Sequence, residues 1–230
     1  MAISNCLFSP TSENLLGFSI QFLFLSKLYK TVKHNQKMRK SNILFLDWGL
    51  SQDKIGNTLS SALNSSIFNL SNLLKEHLQN NDSLGNEMRK ILESGKMFTT
   101  EMIGKFISRN LKEVNKNVFF LEYPRTIEQY DGLKKVLAEE NIELENIWYF
   151  KQREPKEFMT NHFKNPEEKQ WLDKYGNEVI EKWRVEFTRR HEQISKIRNV
   201  SESSKWKIIE MDYIENLSSE YITRKIKDCS

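Results

Sequence analysis

Beyond residue 40, three short uninterrupted apolar runs stand out: Ile43-Leu44-Phe45-Leu46, Val118-Phe119-Phe120-Leu121 and Ile147-Trp148-Tyr149-Phe150. Each is long enough for a strand buried on both faces and too short for a helix. Lys207-Ile208-Ile209-Glu210-Met211 reads as a last strand, and Ile67 to Leu70 as a very short strand or an extended crossing segment. Between them the apolar positions recur every three or four residues, the spacing of a helix with one buried face. Ile55, Leu59 and Leu63 predict a helix from about Asp53 to Leu63. Ser71 or Asn72 is placed to cap a helix carrying Leu73, Leu74 and Leu78. Leu84, Met88, Ile91 and Leu92 define another, stopped at Gly95, where glycine can turn left-handed. Thr99 or Thr100 restarts a helix through Met102, Ile103, Phe106, Ile107 and Leu111, and Thr126, after the turn at Pro124, caps one through Tyr130, Leu133, Lys134 and Leu137.

After Lys151 the pattern lapses into a polar, irregular stretch to Tyr175, broken by Pro155 and Pro166, which suits an insertion over 151–177. Helical spacing returns from Glu178 to Ile197 and again from Ile214 to Ile226. Strands separated by helices predict an α/β domain, a parallel sheet with helices on both faces, over residues 41–230. A chain of 230 residues suffices for one such core.

Charge changes the picture only at the N-terminus. The formal net charge is +4, yet residues 1–40 carry Lys27, Lys30, Lys33, Lys37, Arg39 and Lys40 against the single acid Glu13, so the remainder sums to −1. A broad nucleic-acid footprint is therefore not expected of the domain. The apolar patch Leu15 to Leu25 is interrupted by Gly17, Ser19 and Gln21, too short for a membrane span, and its lysines follow rather than precede it, unlike a secretory signal. Residues 1–40 read equally as a surface-docking helix or a dispensable leader. Cys6 and Cys229 form no framework, so an intracellular, cytoplasmic setting is the expectation. His34, His77, His162 and His191 form no ligand series, and the five tryptophans read as packing residues, with Trp48 the exception because of its place in a loop.

Two segments carry candidate chemistry. Asp47 to Thr58 lies where a strand enters a helix, the place for a loop whose amides and lysine cradle phosphate, but it lacks the glycine-rich pattern. Registered on Gly56-Asn57-Thr58, Asn57 stands at the lysine position; registered from the strand end, Asp53 stands there and Ile55 at the magnesium-binding hydroxyl. Lys54 is the nearby cation. The second segment, Phe120 to Gln129, follows a strand and turns into a helix, presenting Arg125 at a strand's C-terminal edge to grip phosphate, with Gln129 one turn on to read a base edge.

From Ile43 to Leu137 the chain resembles the adenylate kinase family of nucleoside monophosphate kinases. The resemblance rests on Leu84-Gly85-Asn86-Glu87-Met88-Arg89-Lys90-Ile91-Leu92-Glu93-Ser94-Gly95-Lys96-Met97 and on Phe120-Leu121-Glu122-Tyr123-Pro124-Arg125-Thr126-Ile127-Glu128-Gln129. It implies a three-layer P-loop-kinase-like sheet with a helical monophosphate-binding flap over 71–111 and a reduced lid over 151–177. It also implies that Lys75 and Arg125 hold a nucleoside monophosphate and Gln129 reads its base. Phosphoryl transfer from ATP with Mg²⁺ is the implied chemistry. The departures lie on the donor side: no phosphate-loop lysine, Leu121 where an acid is expected, Glu122 where a glycine is expected, and only a loose match through the return helix, whose Arg184, Arg189 and Arg190 are weak donor-side candidates. Three readings follow: a nucleotide-binding module with impaired chemistry, an active atypical kinase, and a structural or protein-interaction domain without nucleotide function.

Overall fold

The computed structural model describes residues 38–47, 49–79, 82–95, 98–155, 160–161, 164, 166–212 and 218–229. The chain divides into two units, Met1–Met38 and Arg39–Ser230, and all the elements below belong to the second. The expectation of a surface helix or leader lies outside the described residues. Arg39 and Lys40, counted above with the N-terminal cations, open the first strand. Arg39 donates to the carbonyls of Leu111, at 2.9 Å, and Val114, and Lys40 pairs with Glu145.

Five strands, β1 (Arg39–Leu46), β2 (Ser65–Phe68), β3 (Asn117–Leu121), β4 (Ile142–Gln152) and β5 (Trp206–Met211), form one sheet in the order β2-β3-β1-β4-β5. Every pairing is parallel. Among the described residues eight α-helices accompany them, the last following β5: α1 (Gln52–Ala62), α2 (Leu70–Gln79), α3 (Ser83–Glu93), α4 (Thr100–Lys112), α5 (Ile127–Glu139), α6 (Pro166–Tyr175), α7 (Asn177–Val200) and α8 (Ser219–Cys229).

Successive residues of a strand face opposite ways, which is why the apolar runs are continuous. Ile43, Phe45, Val118, Phe120, Ile147 and Tyr149 pack with α4, α5 and α7 through Ile107, Leu133, Ile194 and Ile197. Leu44, Leu46, Phe119, Leu121, Trp148 and Phe150 pack with α1 and α8 through Ile55, Leu59, Ile222 and Ile226. The crossover from β1 to β2 steps one way along the sheet and carries α1 on one face; the later crossovers step the other way and carry α4, α5 and α7 on the opposite face. A single crossover handedness requires that division. The three-layer arrangement is consistent with a P-loop-kinase-like fold.

Local chemistry shifts several expected boundaries. β2 ends at Phe68, and α2 starts at Leu70 with the Asn69 side chain accepting from the Asn72 amide, so Asn69 takes the capping position expected of Ser71 or Asn72. Thr99, not Thr100, caps α4, and Thr126 caps α5 as expected. Gly95 takes φ +70° just beyond α3. The stretch expected to be irregular from Lys151 to Tyr175 includes the end of β4 and the ten-residue α6, because Pro166 sits at the first helical position, which tolerates its missing N–H. The flap span 71–111 includes most of α4, which belongs to the core through Ile103, Phe106, Ile107 and Leu111.

Candidate functional site

The strand order reverses direction beside β1: the chain leaves it toward β2 and β3 on one side and returns to β4 on the other. In open parallel sheets the crevice beyond such a switch point is where ligands sit. Here it lies at the C-terminal ends of β1, β3 and β4, where Asp47, Glu122 and Gln152 meet.

Five residues, Asp47 to Ser51, join β1 to α1. Gly56, Asn57 and Thr58 lie inside α1, and the Thr58 hydroxyl donates to the Lys54 carbonyl at 2.7 Å. That excludes the register built on Gly56-Asn57-Thr58, because Gln52 to Ile55, which that register places in the loop, are already helical. In the strand-end register Asp53 occupies the first helical turn, beside the half-buried Lys54, and Ile55 is fully buried against the sheet. Trp48 lies outside the described residues.

Asp47 is 1% exposed. Its Oδ1 accepts from the Tyr149 hydroxyl at 2.7 Å and pairs with His191 Nε2 at 2.9 Å; its Oδ2 accepts from the Gln152 amide at 2.8 Å. Burial pushes the Tyr149 phenol pKa strongly upward, and the adjacent Asp47 carboxylate pushes it further. Tyr149 therefore stays a neutral donor. His191 reaches the site at the end of a row on α7: Trp183 stacks on Phe187 and Phe187 contacts His191, each one helical turn apart.

Glu122 follows β3 with φ +57°, a left-handed conformation that costs a side-chain-bearing residue about 1–2 kcal/mol. Its Oε1 accepts from the Leu46 amide at 2.9 Å, its Oε2 pairs with Arg190 Nη2 at 2.8 Å, and Arg190 Nη1 donates to the Leu46 carbonyl at 2.9 Å. The three residues close a ring around the Leu46 peptide groups, tying α7 and the end of β3 to the end of β1. Burial raises the Glu122 carboxyl pKa, against the opposing pull of Arg190.

Arg125 is exposed in the turn before α5, its Nε donating to the Glu122 carbonyl at 3.2 Å. Its own amide donates to Gln129 Oε1 at 2.8 Å, while the Thr126 hydroxyl accepts from the Gln129 amide at 3.2 Å. This is a capping box displaced by one residue: the Gln129 side-chain oxygen closes the helix start, which leaves its NH₂ and one oxygen lone pair to meet a ligand. A narrow cleft enclosing about 30 Å³ is lined by Glu122, Arg125, Arg189, Arg190 and Gln193, with Phe45 among its apolar walls; that is room for about one water-sized group.

Of the residues singled out from sequence, Arg125, Arg189 and Arg190 converge on this cleft; Lys54, Lys75 and Arg184 are not among its walls. Lys75 is exposed on α2, and Arg184 pairs with Glu181 on the surface of α7 at 2.9 Å. Arg189 also pairs with Glu186. Asp47, Tyr149 and His191 carry no motif in the sequence. The one signal for His191 is the four-residue spacing of Trp183, Phe187 and His191, which marks one helix face that carries it inward. Among the described residues no group of three or more His, Cys, Asp or Glu side chains is placed to hold a metal ion, and no helix is long and apolar enough to cross a membrane.

No family model matches the chain. It is 29% identical over 111 residues to an adenylate kinase of Prochlorococcus marinus (strain AS9601), covering 48% of this chain and 61% of that protein. To an adenylate kinase of Corynebacterium urealyticum it is 31% identical over 91 residues, 39% of this chain and 50% of that protein. To one of Mycoplasma mycoides subsp. mycoides it is 26% identical over 91 residues, 40% and 43%. The chain thus spans less than two thirds of the length of the curated relatives it matches. These distant, partial matches give a broad link to the adenylate and nucleoside monophosphate kinase superfamily.

Proposed function

We propose that this is an adenylate-kinase-like nucleotide-binding protein that holds a nucleoside monophosphate on its Arg125 side and has lost most or all phosphoryl transfer. The observation that carries the reading is the buried Asp47 carboxylate at the mouth of the β1–α1 loop, where a phosphate cradle calls for bare amides and positive charge. Asp53 in the first turn and the buried Ile55 extend the mismatch, so the donor-side residues do not fit magnesium-bound ATP. Arg125, by contrast, sits exposed at the switch point beside further guanidinium groups. The use of the Gln129 carbonyl in a helix cap favours a second reading, a structural or protein-interaction domain without nucleotide function.

Isothermal titration of the full chain with nucleoside mono- and triphosphates separates these. The expected result is monophosphate binding weakened by Arg125→Ala about tenfold to a hundredfold, the worth of a charged hydrogen bond, with triphosphate binding absent or unaffected by Lys54→Ala. Tight triphosphate binding lost in Lys54→Ala, with Mg²⁺-dependent diphosphate production, would restore an active atypical kinase. Binding of neither nucleotide by the folded protein supports the second reading.

A further inference from the structure

The ring around Leu46 has the parts of an anion seat. A backbone N–H from the last residue of β1 and one arm of the Arg190 guanidinium both point at the same carboxylate. Arg125 and Arg189 line the same cleft. Two converging donors backed by further cations are what binds a tetrahedral oxyanion. The occupant here is Glu122, which is 11% exposed and held in a backbone conformation that favours glycine. A glycine at this position would leave the Leu46 amide and Arg190 facing open space.

We infer that the Glu122 side chain is a built-in occupant of a phosphate seat formed by the Leu46 amide and Arg190, so that a phosphate-bearing ligand binds there only when the Glu122 charge is removed or displaced. The ligand class, a phosphate group, rests on the nucleotide-binding reading above; the seat itself rests on the ring geometry. The other charged groups acting on Glu122 are Asp47 at the end of β1 and Arg125 before α5; Arg189 on α7 lines the same cleft, and Tyr149 on β4 and His191 on α7 contact Asp47. Asp47 opposes an incoming anion as Glu122 does, and the arginines favour it.

Sulfate is the probe, since it keeps its double charge across the working pH range and needs no base recognition. Its affinity is measured by calorimetry against chloride at matched ionic strength for the wild type, Glu122→Gly, Glu122→Gln and Glu122→Gly/Arg190→Gln. Glu122→Gly is expected to bind sulfate at least tenfold more tightly than the wild type, Glu122→Gln to show a smaller gain, and the double variant to lose it. The wild type is expected to bind sulfate better at pH 5 than at pH 8, with that difference diminished in Glu122→Gln, which retains Asp47 and His191. Folded variants whose affinity stays within twofold of the wild type overturn the inference, as does a gain that survives loss of Arg190. Should the glycine variant not fold, the glutamine variant and the wild-type pH comparison decide. A gain for sulfate without any monophosphate binding keeps the seat and removes the nucleotide reading; monophosphate binding through Arg125 without a sulfate gain does the reverse.

Discussion

Replacing Asp47 by alanine removes the carboxylate on which three groups from β4 and α7 converge. In the folded protein the Tyr149 hydroxyl and the Gln152 amide both donate to this carboxylate, and both residues are buried, Tyr149 5% and Gln152 3% exposed; the Tyr149 hydroxyl also lies 3.1 Å from His191 Nε2, which keeps a second partner within its reach. Each buried donor left without an acceptor costs about 1–3 kcal/mol. The His191 contact adds little, because that ring is partly solvated and exposed ion pairs are worth about 0–1 kcal/mol. With His191 still within reach of the Tyr149 hydroxyl, the expected loss is about 1–3 kcal/mol, the cost of one such donor, a sizeable part of the roughly 5–15 kcal/mol that holds such a domain folded. Urea unfolding followed by tryptophan fluorescence reads it as a lower midpoint at unchanged slope. A second substitution sharpens the test: Tyr149→Phe destabilises the wild type by about 1 kcal/mol but costs less in Asp47→Ala, where the hydroxyl has lost its carboxylate and keeps the His191 contact. A loss below about 1 kcal/mol for Asp47→Ala, under that range, or an unchanged Tyr149→Phe penalty in its background, would refute the reasoning.

Three further outcomes are expected. Burial raises the Glu122 carboxyl above its ordinary value of 4.5, so the folded chain holds that proton longer than the unfolded one, and the stability of wild type relative to Glu122→Gln declines as pH rises from that value through the folded one; denaturation across pH 4 to 8 checks this, and a relative stability that grows with pH contradicts it. Gly132 on α5 lies so close to α4 that an added Cβ would meet Thr100 Cγ2 at 2.7 Å, so Gly132→Ala should lose about 1–3 kcal/mol to overpacking, whereas in a Thr100→Ser background it should gain up to about 1 kcal/mol from helix propensity; equal effects in the two backgrounds would exclude the clash. A chain beginning at Met38 should unfold cooperatively by circular dichroism, because the core described from Ile43 to Ile226 falls within the single unit Arg39–Ser230; absence of a transition under conditions where the full chain is folded overturns that.

The strands and most helices were legible because burial on two faces and burial on one face leave different periodicities, and those are properties of the chain alone. Val118 to Leu121 has no reading except a central strand, and Met102 to Leu111 none except an amphipathic helix. The location of Arg125 in the turn between β3 and α5 was legible for the same local reason, since its strand, turn and helix cap are contiguous. What sequence left open in the β1–α1 loop, two registers, was settled where α1 begins, because packing of Ile55 and Leu59 on the sheet determines which residues are helical. Asp47, Tyr149 and His191 carry no local signal of partnership: they are brought together from positions 47, 149 and 191, and only the parallel order of the strands places those positions at one edge. The same holds for Glu122 and Arg190, whose ring around Leu46 joins three elements distant in the chain. Periodicity reports which face of an element is buried, whereas the identity of a polar group's partner depends on how the elements are arranged, and that was decided by tertiary structure.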